Sequence, residues 1–101
     1  MIKITPAQLQ TVTAILTRNV PGARVLVFGS RVSGTPKDYS DLDIAVVAKE
    51  KLDIAAIAKL REDFAESDLP FRVDALDWHS ISPEFRKIID AGHEIIDLSL
   101  K

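Results

Sequence analysis

Three short apolar runs, Arg24–Phe28, Leu42–Ala48 and Phe71–Leu76, alternate along the chain with stretches of helical periodicity. That alternation leaves few architectures open. A short run rich in Val, Ile, Leu and Phe reads as a buried strand, whereas apolar residues returning every three or four positions read as a helix. Thr5-Pro6-Ala7-Gln8 opens the first helix. Thr5 can cap it, Pro6 suits its first position, and Gln8 stands at the capping-box position. Leu9, Val12, Ile15 and Leu16 follow at helical spacing, and Asn19-Val20-Pro21-Gly22 ends the segment. Arg31 to Gly34 fits one helical turn. Asp53 caps a further helix running to Ser67, with Ile54, Ile57, Leu60 and Phe64 on successive turns. Ser82-Pro83-Glu84 opens the last helix, with Gly92 expected as its C′ residue. Glu94 to Leu98 reads either as an edge strand or as a packed tail.

The predicted order is α-β-α-β-α-β-α with an optional last strand. It belongs to the α/β (α+β) class: a small mixed sheet of three to four strands covered by helices. With 101 residues, the expectation is one domain over 1–101. The thirteen residues between Phe28 and Leu42 suit either a hairpin-like antiparallel link or a crossover.

Composition narrows the function by exclusion. There is no cysteine, so there is no disulfide and no zinc–thiolate site, which fits a reducing cytoplasm. Met1 is followed by no long apolar run, so neither a signal peptide nor a membrane span is expected. A net charge of −2 and a pI of 5.6 argue against a broad basic surface, and no direct nucleic-acid binding is expected. A nucleotide ligand stays open, because a metal can neutralise its phosphates.

One local feature breaks the strand rules. Ser40-Asp41-Leu42-Asp43 sets two carboxylates at i and i+2 at the mouth of a buried strand. Acidic residues disfavour strands, and these two share a face about 6–7 Å apart at the backbone. Such a pair can share a hard divalent ion, and with no thiol present Mg²⁺ or Mn²⁺ suits it better than zinc. Asp74 sits alone among Val73, Ala75 and Leu76 in the third predicted strand. If that strand lies beside the second, Asp74 reaches the same site, and three carboxylates support two ions. Gly29-Ser30 supplies a phosphate-holding turn: glycine permits close backbone approach, a helix start favours anions, and the Ser30 hydroxyl adds a donor. Arg31 is either a bidentate phosphate ligand or a structural clamp paired with a neighbouring Asp.

Each element has an ordinary reading as well. Gly29-Ser30 alone is a strand-to-helix turn. Asp41 and Asp43 alone are solvated residues at a strand entry. Arg72 and Asp74 could form a surface ion pair on one face. Ser40 shapes the turn before Asp41, Tyr39 is a loop side chain covering the site, His79 is a surface or capping residue, and His93 is structural.

In order along the chain, Gly29-Ser30, Asp41-x-Asp43 and Asp74 resemble the pattern of the polymerase-β-like nucleotidyltransferase superfamily. The stretch "FGSRVSGTPKDYSDLDIAV" is most similar to the minimal nucleotidyltransferases of that superfamily, with their G-S-R-x-x-G…S-D-x-D signature. The resemblance covers most of the chain and implies the nucleotidyltransferase fold, ATP as donor, and Mg²⁺, two ions, as cofactor. It assigns Gly29 and Ser30 to the triphosphate, Asp41 and Asp43 to the metals, and Asp74 to metal or base duty, and Arg31 and Ser40 of the same signature are further candidate nucleotide contacts. It further implies a hetero-oligomer with a HEPN-domain toxin, a tyrosine of which receives AMP. The alternative is a catalytically weak nucleotide-binding antitoxin that neutralises its partner by complex formation alone. The chain departs from many minimal members at Ser33, where they carry a second basic residue.

Overall fold

A computed structural model describes residues 2–99. Helix α1 spans Pro6–Asn19, and the expected capping box is formed. The Thr5 hydroxyl accepts from Gln8 N at 3.1 Å, and the Gln8 side chain accepts from Thr5 N at 2.9 Å. Strand β1 is Arg24–Phe28 and α2 is a single turn, Ser30–Ser33. Strand β2 is Leu42–Val47, and α3 is Ile54–Ala65 with Asp53 as its cap. Strand β3 is Val73–Asp77, followed by a 3₁₀ turn at Trp78–Ser80, helix α4 at Pro83–Ala91 and strand β4 at Glu94–Asp97.

The four strands form one mixed sheet in the order β3-β2-β1-β4. β1 pairs antiparallel with both β2 and β4, and β2 pairs parallel with β3. The β1–β2 link is therefore the antiparallel one, and the β2–β3 crossover runs through α3. The chain's end is an edge strand rather than a tail, because Val25 and Leu26 offer Ile96 and Ile95 a ladder partner.

Alternation along the strands sorts the residues onto two faces. Val25, Val27, Leu42, Ile44, Val46, Val73 and Ala75 meet Val12, Leu16, Leu60 and Phe64 of α1 and α3 in the larger core. Leu60 is fully buried there, which stabilises the fold by about 1.5–3 kcal/mol relative to exposure. The opposite face carries Leu26 and Ala45, packed with Ile89, Phe85 and Trp78 of the α4 region. Phe28 and Phe85 meet edge to face at 5.8 Å. Asp41, Asp43 and Asp74 fall in phase with this second, thinner face, so the acidic residues avoid the main core.

Several element ends differ from expectation. α3 stops at Ala65, two residues before Ser67, where the Ser67 hydroxyl donates to the Phe64 carbonyl at 2.7 Å. β3 starts at Val73 rather than Phe71 and runs through Asp77, whose side chain caps the 3₁₀ turn. Gly92 is the C-cap of α4 in an extended conformation, φ −167°, so no left-handed C′ glycine is needed there.

Candidate active site

The site begins where β1 ends. Gly29 has φ +81° and ψ −159°, a region that is nearly glycine-only. It also leaves no room for a side chain: a Cβ there would collide with Asp43 Oδ2 and sit 3.2 Å from Asp43 Cγ. The register explains the proximity, since Phe28 is the partner of Asp43 across the β1–β2 ladder. Gly29 thus brings bare backbone against a carboxylate and starts α2, whose first residue, Ser30, is exposed. Gly34 is the second tight glycine. A Cβ there would lie 3.0 Å from Ser30 Cα and 3.1 Å from the Ser30 carbonyl oxygen, so the glycine lets the chain turn back over Ser30.

The carboxylates come from two parallel strands. Asp43 and Asp74 are register partners on β2 and β3, so both side chains leave the same side of the sheet. Asp41 precedes β2 by one residue and follows the same alternation. Burial raises the affinity of Asp43 for a proton, and the negative charges of Asp74 and Asp41 raise it further; Arg72 opposes them. The three acids therefore form one electrostatic cluster. Arg72 closes one side through an ion pair to Asp41 Oδ2 at 3.2 Å, both groups being solvent-exposed. The ion pair expected between Arg72 and Asp74 is thus made with Asp41 instead.

These acids are neighbours but do not close into a cage. Among the described residues, no group of three Asp, Glu, His or Cys stands ready to hold a metal ion. In chemistry the set fits a hard divalent ion, because all donors are oxygens and Asp43 lies partly buried beside two further acids. It fits an ion that takes much of its shell from water and phosphate better than one held wholly by protein. Asp74 also opens onto a groove of about 490 Å³ along the free edge of β3, lined by Arg61, Phe64, Leu69 and Arg72.

Two expected nucleotide ligands are placed otherwise. Arg31 is buried and spends its donors on carbonyls of Ser40, Lys3, Lys37 and Asp38. Its guanidinium lies 4.2 Å over the Phe71 ring. It is the structural clamp of the two readings, and its acceptors are neutral carbonyls rather than an aspartate. Ser40 serves the same loop: its hydroxyl accepts from Lys37 N at 2.8 Å and its carbonyl from Arg31 Nε at 2.9 Å.

One buried acid had no sequence signal of its own. Asp77 is 6% exposed. Its Oδ2 accepts from Leu52 N at 2.9 Å and from the Ser80 hydroxyl at 3.2 Å, and its Oδ1 accepts from His79 N at 3.1 Å. It braces the two ends of the β2–α3–β3 crossover. His79 Nε2 adds a bond to the Ala48 carbonyl at 2.8 Å, which ties the 3₁₀ turn to the end of β2.

The chain is similar to known proteins in sequence and in fold. The family described as polymerase beta, nucleotidyltransferase matches residues 10–99. The probable protein adenylyltransferase MntA of Haemophilus influenzae is 47% identical over 95 residues, covering 94% of this chain and 83% of that protein. A crystal structure of a toxin–antitoxin with AMP-PNP superimposes with a TM-score of 0.73 at 31% identity, covering 85% of this chain and 69% of that one. The toxin–antitoxin MntA–HepT gives a TM-score of 0.65 at 28% identity, covering 87% of this chain and 69% of that one.

Proposed function

The chain belongs to the polymerase beta nucleotidyltransferase family, and on that premise we propose that it is a protein adenylyltransferase acting as an antitoxin. It transfers AMP from ATP to a tyrosine hydroxyl of a HEPN-type toxin, with which it forms a hetero-oligomer in the cytoplasm. The observation that carries this reading is the side-by-side placement of Asp43 and Asp74 against the Gly29-Ser30 turn. The similarity to an adenylyltransferase and to toxin–antitoxin complexes supports the choice of donor and partner.

The residues divide the work. Gly29 lets the ATP phosphates approach the backbone, and the Ser30 hydroxyl donates to them. Asp41, Asp43 and Asp74 hold Mg²⁺, two ions, which supply Lewis-acid stabilisation of the phosphates. Asp74, at the open edge of the cluster, accepts the proton of the attacking hydroxyl. The acceptor oxygen bonds to the α-phosphorus as the bond to the bridging oxygen breaks, and pyrophosphate leaves. The toxin partner supplies the acceptor side of the site.

The test is transfer of label from α-labelled ATP to the purified toxin partner in the presence of Mg²⁺. Labelled toxin that loses activity supports the reading. An unlabelled toxin, neutralised equally by the Asp41→Ala/Asp43→Ala variant, would mean that complex formation alone does the work.

A further inference from the structure

Arg31 stands in the motif but not in the phosphate turn, and its contacts join four separate parts of the chain. Nε donates to the Ser40 carbonyl at 2.9 Å and Nη1 to the Lys3 carbonyl at 2.9 Å. Nη2 donates to the carbonyls of Lys37 at 3.2 Å and Asp38 at 3.0 Å. The Arg31 carbonyl accepts in return from Lys3 N at 2.7 Å. The Lys3 ammonium then reaches the Gly34 carbonyl, closing the loop that α2 begins. Beneath the guanidinium lies Phe71, at the entry of β3.

Those contacts fall next to the carboxylates. Ser40 is bonded to Asp41, so fixing the Ser40 carbonyl fixes the peptide plane from which Asp41 departs. Phe71 is bonded to Arg72, the ion-pair partner of Asp41, and lies three residues before Asp74. The entry of β2 and the entry of β3 are thus held by one side chain. A planar fork with five donors and a stacking face can do this; an ammonium with three donors and no plane cannot.

We infer that Arg31 is a positioning residue that holds Asp41 and the start of β3 in one frame, setting the spacing between the Asp41–Asp43 pair and Asp74. The inference rests on reading the three carboxylates as an ion site. It gives Arg31 no contact with nucleotide, which separates it from a phosphate ligand in kinetics. Loss of a phosphate ligand raises KM for ATP with kcat spared. Loss of a positioning residue weakens the ion and, at saturating Mg²⁺, lowers kcat with KM for ATP little changed.

The experiment compares the full chain with Arg31→Lys and with Phe71→Leu, which removes the stacking ring and keeps the arginine. Amide hydrogen exchange over residues 37–42 and 71–74 is measured without divalent ions, and Mn²⁺ affinity by electron paramagnetic resonance. Exchange should rise in both segments for both variants, and the Mn²⁺ Kd should rise about 10-fold for Arg31→Lys. With the toxin partner, kcat should fall while KM for ATP stays within about twofold. Wild-type exchange and wild-type Mn²⁺ affinity in both variants would overturn the inference, as would a raised KM with unchanged kcat. A wild-type chain that binds no Mn²⁺ would instead overturn the ion-site reading, while the exchange data still decide whether Arg31 holds the two strand entries.

Discussion

Gly29 and Asp43 touch across the β1–β2 ladder so closely that Gly29 has no space for a side-chain carbon. A Cβ there would stand 3.2 Å from Asp43 Cγ and nearer still to Oδ2. The Gly29-Ser30 turn and the acidic pair are therefore one packed unit, not two motifs that happen to follow each other.

Gly29→Ala should destabilise the chain by about 1–3 kcal/mol from backbone strain alone, because φ +81° with ψ −159° suits only glycine. The clash with Asp43 adds to this and displaces the carboxylate. Urea denaturation should report the lower midpoint, and adenylyl transfer should fall further than the stability loss explains. Gly34→Ala, at φ −113°, meets crowding against Ser30 without the φ penalty and should cost less.

Asp43→Asn should stabilise the chain at neutral pH in buffer free of divalent ions. Burial and the charges of Asp74 and Asp41 raise the Asp43 pKa above its ordinary 3.8, so the folded state holds the proton more tightly than the unfolded state. Stability from this group is complete below 3.8 and is lost as pH rises through the folded value. The wild type and the variant should therefore converge in thermal scans at low pH and separate at neutral pH. Mg²⁺ should raise the wild-type Tm and leave the variant's Tm nearly unmoved.

Asp77→Asn tests the division of labour within "VDALD". Asp77 accepts three hydrogen bonds at the crossover, and Asp74 faces the cluster. Losing charge-assisted bonds to a buried carboxylate should cost about 1.5–3 kcal/mol. Folded Asp77→Asn should still transfer AMP, whereas Asp74→Asn should keep its stability and lose transfer. Calorimetry and the transfer assay together separate the two aspartates.

Asp63 supplies the acid limb of stability. It accepts from Lys59 Nζ at 2.7 Å and from Asn19 Nδ2 at 2.8 Å, tying α3 to α1. Those bonds hold its pKa down at about 2, against 3.8. Its contribution is present above 3.8 and lost as pH falls through about 2. Asp63→Asn should therefore be less stable than the wild type at neutral pH, and the gap should close between pH 4 and 2 when unfolding is followed by circular dichroism.

The sequence carried the helix starts and the strand cores well, because Thr5, Asp53 and Ser82 each have a capping side chain that acts within three residues. It also carried the placement of Asp43 and Asp74 on one side of the sheet, since strand alternation fixes which side chains share a face. The role of Arg31 was not legible between its two readings, because its acceptors are backbone carbonyls spread from Lys3 to Ser40 and carbonyls leave no residue signature. Asp77 was hidden for the same reason, its main partner being the Leu52 N–H across the crossover. Sequence does not fix the antiparallel β1–β2 link, because thirteen residues allow both connections, and only the β4 and β3 neighbours settle the sheet order.

The central claim is that Asp41, Asp43 and Asp74 hold divalent ions beside a triphosphate seated on Gly29-Ser30. Anomalous diffraction from crystals grown with Mn²⁺ and AMP-PNP tests it most directly. The predicted result is Mn²⁺ density about 2.1 Å from oxygens of these carboxylates, with phosphate oxygens in the same coordination shell over the Gly29-Ser30 turn. Nucleotide bound elsewhere, or bound at that turn with no ion on Asp43 and Asp74, would contradict it.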